Sequence, residues 1–181
     1  MIEVRWHGRG GQGSFTASKL LGASSSLYGG KFALAFPSFG PERRGAPVLA
    51  FTKIDDKKII DRSEVKLCDY IVILDNTLFE EGFINNLKEN GRIIINTSDA
   101  VKYQNYDKEK VIALDATSIA LEFLGKPITN TAMLGALAGI SKIVELDWIL
   151  KGMENFLSGA VLTKNIEVVR RTYNLSKEAL V

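Results

Sequence analysis

The chain has 181 residues, 46% hydrophobic and 24% charged, with a net charge of +2, which is the make-up of a single ordinary globular domain and excludes a disordered or fibrous chain. So small a net charge argues against a broad nucleic-acid track, and the lone cysteine, Cys68, excludes an intramolecular disulfide or a four-thiolate metal site built from this chain alone. The N-terminus begins on a strand pattern rather than a signal peptide, and no apolar run reaches membrane-span length. A cytoplasmic protein with no membrane or nucleic-acid partner is therefore expected.

In chain order, residues 2–7 read as a strand and 14–28 as a helix rich in small residues. Between them lies Gly8-Arg9-Gly10-Gly11-Gln12-Gly13. Four glycines in six residues at a strand-to-helix turn permit positive φ and close backbone approach, so N–H groups and the positive end of the helix dipole can meet an anion. The same pattern also serves a tight turn that merely packs helix on strand, and glycine spacing alone does not choose between the two. Charge favours the anion. Residues 1–53 hold seven basic and two acidic side chains, with no acid between Glu3 and Glu42, whereas the remainder is net −3. Arg5, Arg9 and Lys19 lie near the loop in sequence.

Residues 31–36 read as the next strand. They are followed by 37–47, a loop holding three of the four prolines together with Arg43 and Arg44. A hairpin-like pair is expected at 48–52 and 58–60. Apolar runs at 70–74, 92–95 and 111–114 read as buried strands, with a helix from Leu78 to Glu89 between the first two. His7, Asp75, Asn76, Asn96 and Asp115 would then gather at the carboxyl ends of the strands, where open α/β sheets present ligands. Helix caps and strand stops are the plainer roles for most of them. The C-terminal part reads as helical: Thr129-Asn130-Thr131 caps a helix carrying Gly135 and Gly139, whose spacing implies close packing on a neighbouring helix or subunit. Asp147 is expected to cap another helix, and a final one runs through Leu162, Ile166, Val169 and Tyr173. The fold class expected is three-layer α/β/α with a mainly parallel, Rossmann-like sheet and a helical C-terminal part.

The chemistry is bounded by what the sequence lacks. His7 is the only histidine, and no nucleophile has an evident acid–base partner. Gly8, Gly10 and Gly13 match a dinucleotide fingerprint, but the acid expected about 20 residues on is absent. Arg43 and Arg44 could read a ribose phosphate instead, which leaves an NADP-type or CoA-type ligand open.

Four ordered stretches carry a resemblance: residues 5–13 (RWHGRGGQG), 35–48 (AFPSFGPERRGAPV), 73–78 (ILDNTL) and 129–136 (TNTAMLGA). Together they resemble the gamma subunit of the pyruvate (2-oxoacid):ferredoxin oxidoreductases. The resemblance implies a complex that decarboxylates a 2-oxoacid, passes the acyl group to coenzyme A and sends electrons through iron–sulfur clusters to ferredoxin. It also implies that thiamine diphosphate, magnesium and the clusters are held by alpha, beta and delta type subunits, none by this chain alone. This chain would be inactive by itself and would contribute to CoA handling and assembly, with no catalytic or metal-binding residue. Its candidate binding residues are Gly8, Arg9, Gly10, Gly11, Gln12, Gly13, Arg43, Arg44 and Asn130. A stand-alone NADP-binding oxidoreductase and a purely structural subunit remain as alternatives.

Overall fold

The computed structural model describes residues 1–38 and 45–178. Six strands form one sheet: β1 (Ile2–Arg9), β2 (Phe32–Pro37), β3 (Pro47–Asp55), β4 (Cys68–Ile73), β5 (Leu87–Asn96) and β6 (Val111–Leu114), in the order β2-β3-β1-β4-β5-β6. The pairings β1–β4, β4–β5 and β5–β6 are parallel, and β3 is antiparallel to both β1 and β2. The expectation of a mainly parallel α/β sheet therefore holds, with an antiparallel flank.

Successive side chains on the apolar strands point to opposite faces, and both faces are buried. Val4, Trp6, Val72 and Ile94 enter one core, under α1 (Ser14–Leu27), α2 (Ala116–Leu124), α3 (Asn130–Ser141), α4 (Leu146–Met153) and α5 (Gly159–Glu178). Ile71, Ile73, Ile93 and Ile95 enter the other. The layer over that second face is not α-helical. It consists of 3-10 turns at Asn76–Leu78, Glu81–Asn86 and Ala100–Tyr103, which lay Phe79, Phe83, Tyr103 and Tyr106 on the sheet.

The helix expected from Leu78 to Glu89 is thus two short turns, with 87–89 already in β5. Gly82, Asn85 and Asn86 are poor helix formers. Arg5 Nη2 also donates to Asn86 Oδ1 at 3.0 Å, holding the segment to β1. The hairpin with 58–60 is absent as well, because both edges of β3 are taken by β1 and β2. Instead, the stretch after β3 is tied down by Lys53, whose buried ammonium lies 2.6 Å from Asp61 Oδ2 and 3.8 Å from Glu3 Oε1. Helix α2 was not foreseen, although both of its ends are marked: the Asp115 side chain accepts from Ser118 N, and Gly125 closes the helix in the left-handed region.

In the C-terminal part, Gly135 and Gly139 face α5. A Cβ on Gly135 would stand 2.6 Å from Val169 O, and one on Gly139 would overlap Ser176 Oγ. The small-residue stripe is closed by a helix of the same chain and offers no surface for a partner. The cap of α4 is Glu145, with Asp147 in the first turn, where its charge favours the helix dipole.

Candidate functional site

Strand β1 delivers the glycine loop to the carboxyl edge of the sheet, beside the end of β4. Two backbone bonds then fasten it to the segment closing the 37–47 loop: Gly10 N donates to Ala46 O at 2.8 Å and Gly45 N to Gly10 O at 3.2 Å. Arg43 and Arg44 lie outside the described residues, but their neighbour Gly45 touches the glycine loop directly.

Arg9 and Gln12, expected as ligand contacts, are spent inside the chain. Arg9 Nε donates to Asp75 Oδ2 at 2.9 Å, its Nη2 to Thr77 Oγ1 at 2.8 Å and its Nη1 to Gly45 O at 3.1 Å. Gln12 accepts from Arg9 N at 2.7 Å through Oε1 and donates to Asp75 Oδ2 at 3.2 Å through Nε2. Burial alone would push the Asp75 carboxyl up, but hydrogen bonds from Thr77, Gln12 and Arg9 outweigh it and hold the group below the usual carboxylate range. Asp75 is the post that braces the loop. Arg5 lies over the Phe83 ring and Lys19 over the Phe15 ring.

The electropositive element is backbone. Helix α1 starts at Gly13, which has φ 82° and no side chain to cap the first turn, and that turn holds no acid. Helix α3 starts at Asn130, whose own Oδ1 accepts from Thr131 N at 2.9 Å, and its first turn holds no acid. The two starts abut. A Cβ on Gly13 would come 2.5 Å from Asn130 Nδ2, so only glycine allows the approach. Two helix starts with no acid in either first turn therefore lie side by side, an arrangement whose dipoles favour negative charge nearby. The sequence singled out both residues but gave no sign that they touch.

Directly beneath the loop, His7 is 7% exposed and its ring centroid lies 4.5 Å from that of Phe83. Burial, helped by the Arg5 charge, holds its pKa down at about 3, so the imidazole is neutral and its Nε2 has no hydrogen-bond partner. It is a core residue, not an exposed base.

Two hollows flank the junction. A polar cleft of about 430 Å³ runs over the carboxyl ends of β4, β5 and β6, lined by Gln12, Asp75, Asn96, Asp115, Thr117 and Thr129. Asp75 and Asp115 serve there as caps, and Asn96 ties β5 to Leu74 O at 2.9 Å and to Thr117. The cap-and-stop reading of these residues holds, yet together they also shape a cleft. On the other side, an apolar groove of about 480 Å³ lies between α1, the α2–α3 link and the start of α5. Its residues are scattered from Thr16 to Asn165, and no local pattern in the sequence marks it. Among the described residues, no three His, Cys, Asp or Glu side chains are grouped to hold a metal ion. Burial pushes the Cys68 thiol up to about 11, so it stays protonated. No described helix is long and apolar enough to cross a membrane.

Fold and site together define an α/β protein with a braced glycine loop and two adjoining helix starts at the carboxyl edge of its sheet. Residues 3–175 match the sequence profile described as pyruvate ferredoxin/flavodoxin oxidoreductase, and the chain belongs to that family. It is 46% identical over 175 residues to the pyruvate synthase subunit PorC of Methanocaldococcus jannaschii, covering 96% of each chain. It is 43% identical over 179 residues to the pyruvate/ketoisovalerate oxidoreductases common subunit gamma of Thermococcus kodakarensis, again covering 96% of each. The crystal structure of pyruvate oxidoreductase subunit PORC from Thermotoga maritima superposes with a TM-score of 0.82 at 35% identity, covering 96% of this chain and 95% of that one.

Proposed function

We propose that this chain is the gamma subunit of a 2-oxoacid:ferredoxin oxidoreductase acting on pyruvate. Within it, the Gly13–Asn130 junction holds the diphosphate of coenzyme A. The observation that supports the second part is the meeting of two helix starts with no acid in either first turn. In this reading Arg43 and Arg44, which lie outside the described residues, supply charge-assisted contacts to phosphate. The pyruvate assignment is supported by the names of the relatives. One of those names describes a gamma subunit common to two oxidoreductases, which fits a subunit that serves the shared acyl acceptor and leaves choice of the 2-oxoacid to others. Thiamine diphosphate, magnesium and the iron–sulfur clusters then belong to alpha, beta and delta type subunits. The complex works in the cytoplasm with ferredoxin as electron acceptor.

The test is calorimetric binding of CoA to the assembled complex carrying Arg43→Ala, Arg44→Ala or Gly13→Ala. Each arginine change should weaken binding by about 1–3 kcal/mol, the range for a hydrogen bond to a charged group, with the subunits still associated. Gly13→Ala should weaken it too, because the added methyl group displaces Asn130. Unchanged CoA binding together with loss of assembly would make both loops interface elements and favour the purely structural subunit. NADP binding by the isolated chain would favour the stand-alone oxidoreductase.

A further inference from the structure

The sheet ends on β2 at one side and on β6 at the other. Edge strands expose unpaired backbone groups, and proteins blunt them by shortness or by charge. Strand β6 follows that rule, with only Val111–Leu114 between Lys110 and Asp115. Strand β2 does not: Phe32–Pro37 carries no charge, and among the described residues no strand pairs with its outer side. Ser38 N donates to Leu49 O at 2.9 Å, in step with the β2–β3 register. By alternation Phe32, Leu34 and Phe36 bond to β3, while Ala33 and Ala35 turn their N–H and C=O groups outward. The open stretch is bounded, since Lys31 N is spent on Ser25 O at 3.1 Å and Pro37 has no N–H.

The strand that fits this edge is the edge itself. Residues 32–36 read Phe-Ala-Leu-Ala-Phe, the same in both directions. We propose that β2 pairs antiparallel with β2 of a second copy of this chain, about a twofold axis at Leu34, joining two sheets into one. Ala33 then meets Ala35 of the other copy, and every outward N–H and C=O of both residues is paired. Sliding the strands by two residues leaves a carbonyl on each copy without a donor, because Lys31 N is spent and Pro37 has none. On the face away from α1, Phe32, 48% exposed, comes opposite Phe36 and Leu34 opposite Leu34, cross-strand pairs that add stability. On the α1 face the alanines are small enough to lie under the helix: a Cβ on Gly22 would stand 3.4 Å from Ala35 Cβ. Helix α1 packs on β2 and β3 alike. With strands about 4.8 Å apart, the two α1 axes lie about 10 Å from each other, the spacing of packed helices. The side of α1 turned from the core there carries Ala23 and Ser26, both small, and the single charge on the helix, Lys19, lies over the Phe15 ring. The inference does not depend on what the glycine loop binds.

Two measurements test it. By analytical ultracentrifugation at micromolar concentration, the purified full chain should sediment at twice the 19.9 kDa of one copy. Ala35→Pro removes an outward donor and none that β3 uses, so it should raise the dissociation constant of the dimer about tenfold or more, the scale of one hydrogen bond lost per copy. In the assembled complex, Leu34→Cys should give a covalent dimer on oxidation with copper–phenanthroline. The twofold axis sets the two Leu34 Cα atoms about 4.5 Å apart, within disulfide reach. Phe32→Cys, about 14 Å from its own mate, should give none, and neither should the parent chain, whose Cys68 is buried. A chain that stays monomeric, or a complex in which Leu34→Cys gives no product, overturns the proposal, the latter in favour of another subunit's strand on β2. Equal cross-linking at both positions overturns the register, as does a dimer that Ala35→Pro leaves unchanged. Should Ala35→Pro fail to fold, the cysteine pair decides alone.

Discussion

Acidification from pH 7 to pH 5 probes the packing beneath the glycine loop through one side chain. The sequence contains a single histidine, and no other side chain with an ordinary pKa titrates in this window. In the fold, burial and Arg5 lower the His7 pKa from 6.5 to about 3. Between these values the unfolded chain binds a proton that the folded chain does not, so stability rises with pH across the interval and falls on acidification. At pH 5 the unfolded imidazole is protonated and the folded one neutral, which costs about 2 kcal/mol relative to pH 7. Carboxylates held below their usual range, such as Asp75, lose their contribution only when pH falls below their unfolded value near 4, outside the window. Urea unfolding of the isolated chain at the two pH values should show the loss, and His7→Leu should abolish it whatever that variant does to stability at pH 7. A His7→Leu chain that keeps the whole pH difference, or a parent chain with none, would refute the neutral buried imidazole.

Three further outcomes are expected. Gly135→Ala should cost about 1–3 kcal/mol in urea unfolding, because the new methyl group meets the Val169 carbonyl and α3 must part from α5; Gly82→Ala, with nothing within 4 Å of the added Cβ, serves as the near-neutral control. Asp75→Ala should remove the post shared by Arg9 and Gln12 at a stability cost of about 1 kcal/mol, since Arg9 is 34% exposed and screened by solvent. It should also raise amide hydrogen exchange in residues 9–13 more than in β4 or β5, and uniform exchange would count against the bracing role. The purified single chain should unfold cooperatively yet show no CoA-dependent oxidation of pyruvate, and measurable turnover would contradict its assignment as one subunit of a larger catalyst.

Much of the sheet was legible because unbroken runs such as 71–74 and 93–95 have no plausible place except a strand buried on both faces. The glycine loop was legible as a strand-to-helix turn, since glycine clusters mark positive φ and Gly11 and Gly13 do sit at 96° and 82°. Phe79, Phe83, Ile84 and Leu87 misled, since their spacing imitates a helical stripe while Gly82 and the Asn85-Asn86 pair hold the segment in short turns. Arg9 is a different case: its partner Asp75 lies 66 positions away, and only the fold brings the two together. The junction of α1 with α3 joins residues 13 and 130, and no local pattern reports a contact at that separation.

The strand order also governs the birth of the molecule. Strand β1 leaves the ribosome first but lies in the middle of the sheet, where Val4 pairs with Thr52 on one side and Tyr70 on the other. Its buried Trp6 must wait for partners made dozens of residues later. The helical cover comes later still, since α3 seats against α5 and the core includes Val168 and Val169. Contacts so distant in sequence make folding slow and leave apolar strands open during synthesis. The core can close only when nearly the whole chain has emerged, so a nascent or truncated form ending before α5 is a client for chaperones, not a usable building block.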